Sequence, residues 1–496
     1  MHTFEWVIFI SLLSVSSSLG AVLHRKWKSE GTPNHFGKHF IIGFTAPNAD
    51  NRKNFIGISI LALNDTNVTI IGTQLKKPWN YTFHIIGGDT LDYKLPISLQ
   101  MDKLKFLQYG IEILSVSDIS VLCLNYQSSF SSTSEANGYL ALPAGSLGLI
   151  YIVPSFQPYT SAYRTNIAVI SAHSNNTIIL FPNKNAVIYY RGLWYDDNSL
   201  LYITIVLEKL EALYISGSSD LSGTIIEGSK AVTVISGVTR SRLARRPHFL
   251  EAFLLPTSLW GYRYILTSVG KTSKTGGDIF RIFSYQNNTI VKTAYWTKSV
   301  PCGKYVELVL DKDLASFVDC SKSCEVTQYI KEVTIAGRYA APSMIVLPSI
   351  DQFLSYYQVV LPYGSEFYDS ITIVIENEHI QGLYANGINF NNLDWKRVIG
   401  TKYVWTFVSF SGPSIVTVYH NSSVVKFGLL VFGWNAGGAS YAYPGGYALR
   451  NNSDDENPLT LSSVPSHQSR IKNVDECKEG SHNCHKNAEC TDMIGS

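Results

Sequence analysis

Phe55-Ile56-Gly57-Ile58-Ser59-Ile60-Leu61-Ala62-Leu63, then Asn64-Asp65-Thr66-Asn67, then Val68-Thr69-Ile70-Ile71 is the stretch that decides the fold. Two apolar, β-branched runs flank a corner of Asn, Asp and Thr, whose side chains bond nearby backbone and suit a turn. The stretch reads as strand, turn, strand.

The arrangement recurs along the chain. A second copy is Ile167-Ala168-Val169-Ile170, the corner Ser174-Asn175-Asn176, and Thr177-Ile178-Ile179-Leu180-Phe181. A third is Ile279-Phe280-Arg281-Ile282-Phe283, the corner Gln286-Asn287-Asn288, and Thr289-Ile290-Val291. A weaker fourth runs from residues 404–410 through Ser411-Gly412-Pro413-Ser414 to Ile415-Val416-Thr417-Val418. Each copy leads to an apolar closing strand, at residues 119–124, 231–237, 333–337 and 427–434, and the first three are followed by Leu142-Pro143, Leu255-Pro256 and Leu347-Pro348. The closing strands lie about 95 to 115 residues apart, where a propeller blade needs only about 40 to 50 and a seven-stranded sandwich about 100. The reading is all-β, with about four tandem β-sandwich-like units at roughly 36–140, 147–242, 258–349 and 357–447.

Composition agrees. Aromatic residues are 12% of the chain and charged residues only 16%, which favours strands, and no long 3.6-residue apolar period is present. A net charge of +2 implies no large basic surface, so nucleic acid is not an expected partner. Cys123, Cys302, Cys320 and Cys324 serve the whole region before residue 448, too few for a disulfide-built fold. Spacing leaves their pairing open, with Cys302 to Cys320 or to Cys324 as local closures. The longest apolar stretch inside the chain, residues 427–434, is too short to span a membrane and reads as a buried strand.

Catalytic constellations are weak. Gly145-Ser146-Leu147-Gly148 lacks the spacing of a nucleophile elbow, and Gly270-Lys271-Thr272 has Ile265 where a phosphate loop needs its first glycine. His35 and His39 share a face only in a helix, which Gly37 and Phe40-Ile41-Ile42 oppose. Arg240, Arg242, Arg245 and Arg246 form a compact basic loop, a candidate for an anionic ligand set against the plainer reading of a solvated connection. Tyr441, Tyr443 and Tyr447 are spaced by even numbers, as in packing across a final sheet or, less simply, a platform for sugars.

Several strings resemble the N-terminal domain of the IgGFc-binding protein family. They are Asp220-Leu221-Ser222-Gly223-Thr224-Ile225-Ile226 with residues 230–237, Phe249-Leu250-Glu251-Ala252-Phe253-Leu254-Leu255-Pro256 through Trp260-Gly261, Pro342-Ser343-Met344-Ile345-Val346-Leu347-Pro348, and Ser440-Tyr441-Ala442-Tyr443-Pro444-Gly445-Gly446. The resemblance covers most of residues 36–447. It implies binding rather than catalysis, in a secreted or cell-surface protein of mucus, adhesion or innate defence.

Both ends point outside the cell. Residues 6–15 are mostly apolar and lead into Ser16-Ser17-Ser18-Leu19-Gly20, the pattern of a secretory signal peptide over residues 1–20. Acceptor sequences for N-linked glycans stand at Asn64, Asn67, Asn80, Asn175, Asn287, Asn421 and Asn451. Residues 448–472 have the polarity of a linker. Beyond it, Asn473-Val474-Asp475-Glu476-Cys477, Cys484, Cys490 and Asp492 resemble the first half of a calcium-binding EGF-like module. By that resemblance Asn473, Glu476 and Asp492 supply side-chain oxygens to Ca²⁺ and Val474, Met493 and Ser496 supply carbonyls, with Cys477 and Cys490 as disulfide cysteines. Calcium binding is expected only of a complete module, and further modules or an anchor are expected beyond Ser496.

The expected function is non-enzymatic extracellular recognition or adhesion, with a protein or glycan ligand. The alternative is a structural component of mucus or extracellular matrix that acts by multimerising.

Overall fold

The structure is a computed structural model that describes residues 10–11 and 34–449, apart from 48–52, 75–76, 102–106, 129–133, 191, 197–198, 244–246, 270–276, 312, 332, 336–337, 362–366, 412–414 and 436. The signal-peptide reading (save for Ile10–Ser11, a short strand beside Phe410–Ser411), Asn451, most of the linker and the whole EGF-like stretch lie outside the described residues.

The chain is all-β, and one antiparallel plan recurs. In the first set the strands are, in order, Gly37–Ile42, Lys53–Ala62, Thr66–Gln74, Lys77–Ile85, Thr90–Leu95, the long Ile111–Ser128 and Glu135–Leu140. The long strand bridges two layers. Its first half, at residues 111–115, pairs with the first and third strands, and its second half, at 119–128, with the second and seventh. A register shift between Leu114 and Ile119 marks the change, the device by which a strand moves from one layer of a sandwich to the other.

The second set repeats this with Gly148–Ile152, Thr165–Ser171 and Asn176–Phe181, then Ile203–Leu207, Glu211–Gly217, the long Ile225–Ser241 and His248–Phe253. Its last strand thus lies past residue 242. The third set uses Gly261–Thr267, Asp278–Ser284, Thr289–Thr293, Thr297–Val300, Lys304–Leu310, Ala315–Ile330 and Ser343–Val346. In the fourth the long strand is broken in two. Ile415–His420 pairs with Tyr356–Val360 and Leu383–Ala385, while Gly428–Trp434 pairs with Tyr368–Glu376 and Ser440–Pro444.

That topology corrects two sequence expectations. The fourth strand–corner–strand is Tyr368–Glu376, the 3-10 turn Asn377–Gly382 and Leu383–Ala385. Tyr403–Ser411 is instead the fifth strand, lying beside Tyr368–Glu376 as Thr90–Leu95 lies beside Lys53–Ala62. Likewise Val333–Ile335 is a small hairpin with Arg338–Ala340, and the third long strand precedes it.

The sets close into a ring. Each seventh strand touches the seventh strands of the preceding and following sets, and the fourth, Ser440–Pro444, touches the first, Glu135–Leu140. Asn34 bridges Ala448, and His35 N–H donates to Tyr447 O at 3.1 Å, so the two ends of the described core meet. The axis is packed. The space among Gly138, Phe253, Met344 and Tyr443 is about 10 Å³, room for one water at most.

Being at the axis explains why every residue of the four seventh strands is buried. It also settles the tyrosines. Tyr441, Tyr443 and Tyr447 are buried, with hydroxyls donating to Asp369 Oδ1 at 2.5 Å, to Val360 O, and to Val346 O at 2.9 Å. They pack the core and offer no platform to sugars.

A local clasp recurs where one set passes to the next. After each Leu-Pro, or the matching Pro348-Ser349, a short 3-10 turn runs into the next first strand. There Tyr151 OH accepts from Gly148 N–H at 3.0 Å and donates to Val232 O at 2.6 Å. Tyr264 does the same with Gly261 (3.1 Å) and Cys324 (2.5 Å), and Tyr357 with Leu354 (3.0 Å) and Phe427 (2.5 Å). The first set has Phe40 at this position. The glycines are needed for space, since a Cβ on Gly37, Gly148 or Gly261 would stand 2.7, 2.4 or 2.2 Å from a Cβ of Pro143, Pro256 or Ser349.

Candidate functional site

The second sandwich carries an open strip of aromatic and arginine side chains. Two loops build it. Residues 157–164 are tied to the end of the long strand, with Arg164 N–H donating to Thr239 Oγ1 at 2.8 Å, Tyr159 N–H to Arg240 O at 2.9 Å and Arg242 N–H to Gln157 O at 2.9 Å. The hairpin Ile188–Tyr190 and Leu193–Tyr195 hangs on the sheet through Ile188–Gly217 and Tyr189–Ser216 pairing. It turns at Gly192, whose φ of +89° is a left-handed conformation that glycine adopts without strain.

The hairpin lifts Trp194 beneath the guanidinium of Arg164, 5.0 Å from the ring centre, with Tyr189 packed 5.0 Å from the indole. Arg164 Nη1 donates to Ser161 O at 2.5 Å and Tyr163 O at 2.8 Å. Tyr163 in turn lies 6.4 Å from Tyr159 and 5.5 Å from the Arg240 guanidinium. Trp194 is 45% exposed and Leu193 62%. Aromatic and arginine side chains held this way are what recognition surfaces concentrate.

The basic loop read from the sequence divides. Arg240 is committed to the ring, its Nη2 3.1 Å from the buried Glu135 carboxylate of the first sandwich. Arg242 is exposed, and Arg245 and Arg246 lie outside the described residues. Arg164 and Trp194 were missed by sequence reasoning. Their signal was an arginine and a tryptophan in polar connections, but only the hairpin brings them together.

The other expected positions are dispersed. Asn64, Asn67, Asn80, Asn175, Asn287 and Asn421 are all exposed. Cys320 and Cys324 form a disulfide, Cys123 is a buried thiol and Cys302 a half-buried one, so neither local closure through Cys302 is made. His35 is buried and its pKa falls to about 4 because burial disfavours the charged ring. His39 stands on a strand and bonds Glu112 at 2.7 Å, an oxygen it shares with Lys209.

One further cluster has ligand types. Glu376, Glu378 and His379 offer donor atoms within 4.8 Å of one another, beside an open cavity of about 340 Å³. Glu376 is already held by Lys402 Nζ at 2.7 Å and Tyr403 OH at 3.4 Å, so the cluster is an ion-paired surface rather than a metal cradle. Among the described residues no helix is long and apolar enough to cross a membrane.

Comparison with known proteins gives a consistent picture. The family model described as IgGFc binding protein matches residues 137–433. The IgGFc-binding protein of Homo sapiens is 22% identical over 350 residues, 70% of this chain, and the match spans only 6% of that relative's length. A solved Bacteroides ovatus mixed-linkage glucan utilization locus protein, SGBP-B in complex with a mixed-linkage heptasaccharide, is 9% identical and aligns over 80% of this chain and 98% of its own. Its TM-score of 0.10 carries no argument.

Proposed function

The chain belongs to the IgGFc-binding protein family, and from that premise we propose that it is a non-enzymatic, extracellular recognition and adhesion protein with a protein partner. The observation that carries the reading is the family match, which covers the last strand of the first sandwich and nearly all of the next three. The ring supports it physically. Four sandwiches packed on one axis give a fixed frame from which described loops such as residues 157–164 can meet a partner.

In this reading residues 1–20 direct secretion, and the exposed Asn64, Asn67, Asn80, Asn175, Asn287 and Asn421, with Asn451, carry glycans. The tail opens an EGF-like module that takes Ca²⁺ through Asn473, Glu476 and Asp492 when complete. The relative's name points to the Fc part of immunoglobulin G as the first partner to try. A mucosal or innate-defence setting belongs to the same proposal.

The test is expression of the full chain in a secreting animal cell line. The expected result is protein in the medium that loses mass with an N-glycan-removing enzyme and binds immobilised Fc saturably. Retention in the cytosol without glycans overturns the extracellular reading, absence of Fc binding removes that partner, and turnover of a glycan or peptide panel overturns the non-enzymatic one.

A further inference from the structure

We propose that Arg164 and Trp194 form a binding site for a carboxylated sugar, of the sialic-acid or uronic-acid class. The guanidinium supplies the charge recognition. Its Nη1 is occupied by Ser161 O and Tyr163 O, which fixes the plane of the group. No carboxylate pairs with it among the described residues, and its Nε and Nη2 donors make no bond there. That leaves the side-on edge, the two parallel N–H groups that bind a carboxylate bidentately.

The indole supplies the second half. Trp194 lies under the same guanidinium and is 45% exposed, with Leu193 beside it 62% exposed. A pyranose ring has an apolar C–H face and a polar rim, so an acidic sugar lays the first on Trp194 while its carboxylate reaches Arg164. Around it Arg242 is exposed at this end of the sandwich and Arg240 is paired with Glu135, while the Asp196 carboxylate accepts from Ser199 through Oδ1 at 2.8 Å.

A protein partner fits the strip less well. Specific protein interfaces engage roughly 20–30 residues a side, whereas one guanidinium edge and one partly exposed indole match a single ring-sized unit. Both groups are held by backbone hydrogen bonds and hairpin pairing, so the site is formed before the ligand arrives.

The test uses the full chain, immobilised at physiological ionic strength. The probes are a sialylated mucin-type glycoprotein, the same glycoprotein after sialidase, hyaluronan, neutral dextran and dextran sulfate. Binding to the first that sialidase abolishes assigns sialic acid; binding to hyaluronan assigns a uronic acid. Arg164→Ala and Arg164→Lys each lower affinity about tenfold or more, because lysine cannot make the bidentate contact, and Trp194→Ala lowers it comparably. An unchanged melting temperature in Arg164→Lys separates lost binding from lost folding. The proposal is overturned if no carboxylated glycan binds, if dextran sulfate binds as well as they do, if only an acidic protein binds, or if a folded Arg164→Lys binds like the wild type. Fc binding is read separately, so failure here leaves the family reading standing.

Discussion

The Glu251 carboxylate accepts both the N–H and the hydroxyl of Thr45, at 2.6 and 2.7 Å, joining the second sandwich to the first deep in the core. Asn125 adds a third bond at 3.2 Å. Burial still dominates and pushes this carboxyl up to about 7.

Among the described residues Glu251 is one of four fully or almost fully buried carboxyls raised in this way. Burial raises Asp278 and Asp369 to about 7 and Glu325 to about 8. A carboxyl raised on folding favours the folded state when protonated, so its contribution is full below the unfolded value near 4 and is lost as pH rises through about 7 to 8. His35, lowered to about 4, has the opposite sign and loses its contribution as pH falls below about 6.5. With four groups against one, the melting temperature is expected to rise as pH falls from about 8, to keep rising below about 6.5 with a slope reduced by His35, and to level off only near about pH 4. Asp369→Asn keeps an acceptor for Tyr441 and makes that slope shallower. Differential scanning fluorimetry across this range checks both, and a melting temperature that climbs toward pH 8.5 contradicts the account.

The clasp glycines give a graded prediction. Gly148→Ala forces a Cβ against Pro256 and is expected to cost about 1–3 kcal/mol. Gly145→Ala, three residues away with nothing within 4 Å, should stay within about 0.5 kcal/mol of wild type. Tyr264→Phe removes a hydroxyl that both accepts and donates while leaving Cys324 O buried, at about 1–3 kcal/mol. Urea unfolding midpoints separate the three. Equal midpoints for both glycine variants would refute the close approach.

Arg281 is the buried cation between the second and third sandwiches. It meets Asp220 Oδ2 at 2.7 Å, Glu307 Oε2 at 2.8 Å and Ser155 O at 2.8 Å, and lies within 4.4 to 5.3 Å of the Tyr305, Phe156 and Tyr329 rings. Arg281→Ala strands these acceptors and is expected to destabilise by about 3–5 kcal/mol. Limited proteolysis should then cut between the second and third sandwiches first. A wild-type digestion pattern would show that the residue holds nothing.

The cysteines separate by reagent. Under native conditions an alkylating reagent should label Cys302 and leave Cys123, which is fully buried, while peptide mapping recovers a Cys320–Cys324 bridge. Recovery of Cys302 in a disulfide contradicts the structure.

Much of the fold was legible because strands announce themselves locally. The β-branched runs around Asn64, Asn175 and Asn287 predicted three strand–corner–strand units, and the structure forms each of them, the two strands pairing with different stretches of the long strand and not with each other. The fourth was misplaced because its corner, Asn377–Gly382, is a 3-10 turn and its long strand is interrupted between His420 and Gly428. Ring closure was illegible for a different reason. It rests on contacts between strands hundreds of residues apart, such as Glu135–Leu140 with Ser440–Pro444, and no local pattern encodes them. The same closure buries both faces of Ser440–Pro444, so the even spacing of its tyrosines misleads about exposure. Arg164 and Trp194 are likewise joined only by tertiary packing.

The central structural claim is the closed ring, and the Asn34–Ala448 bridge tests it most directly. Paired antiparallel residues hold their Cα atoms about 4.5–5.5 Å apart, within the range a disulfide spans. Asn34→Cys with Ala448→Cys in the full chain should therefore form a disulfide on oxidation, recovered as a linked peptide by mass spectrometry. Reducible linkage of the two segments is the predicted result; two free thiols in a folded, oxidised protein would mean an open array and contradict the ring.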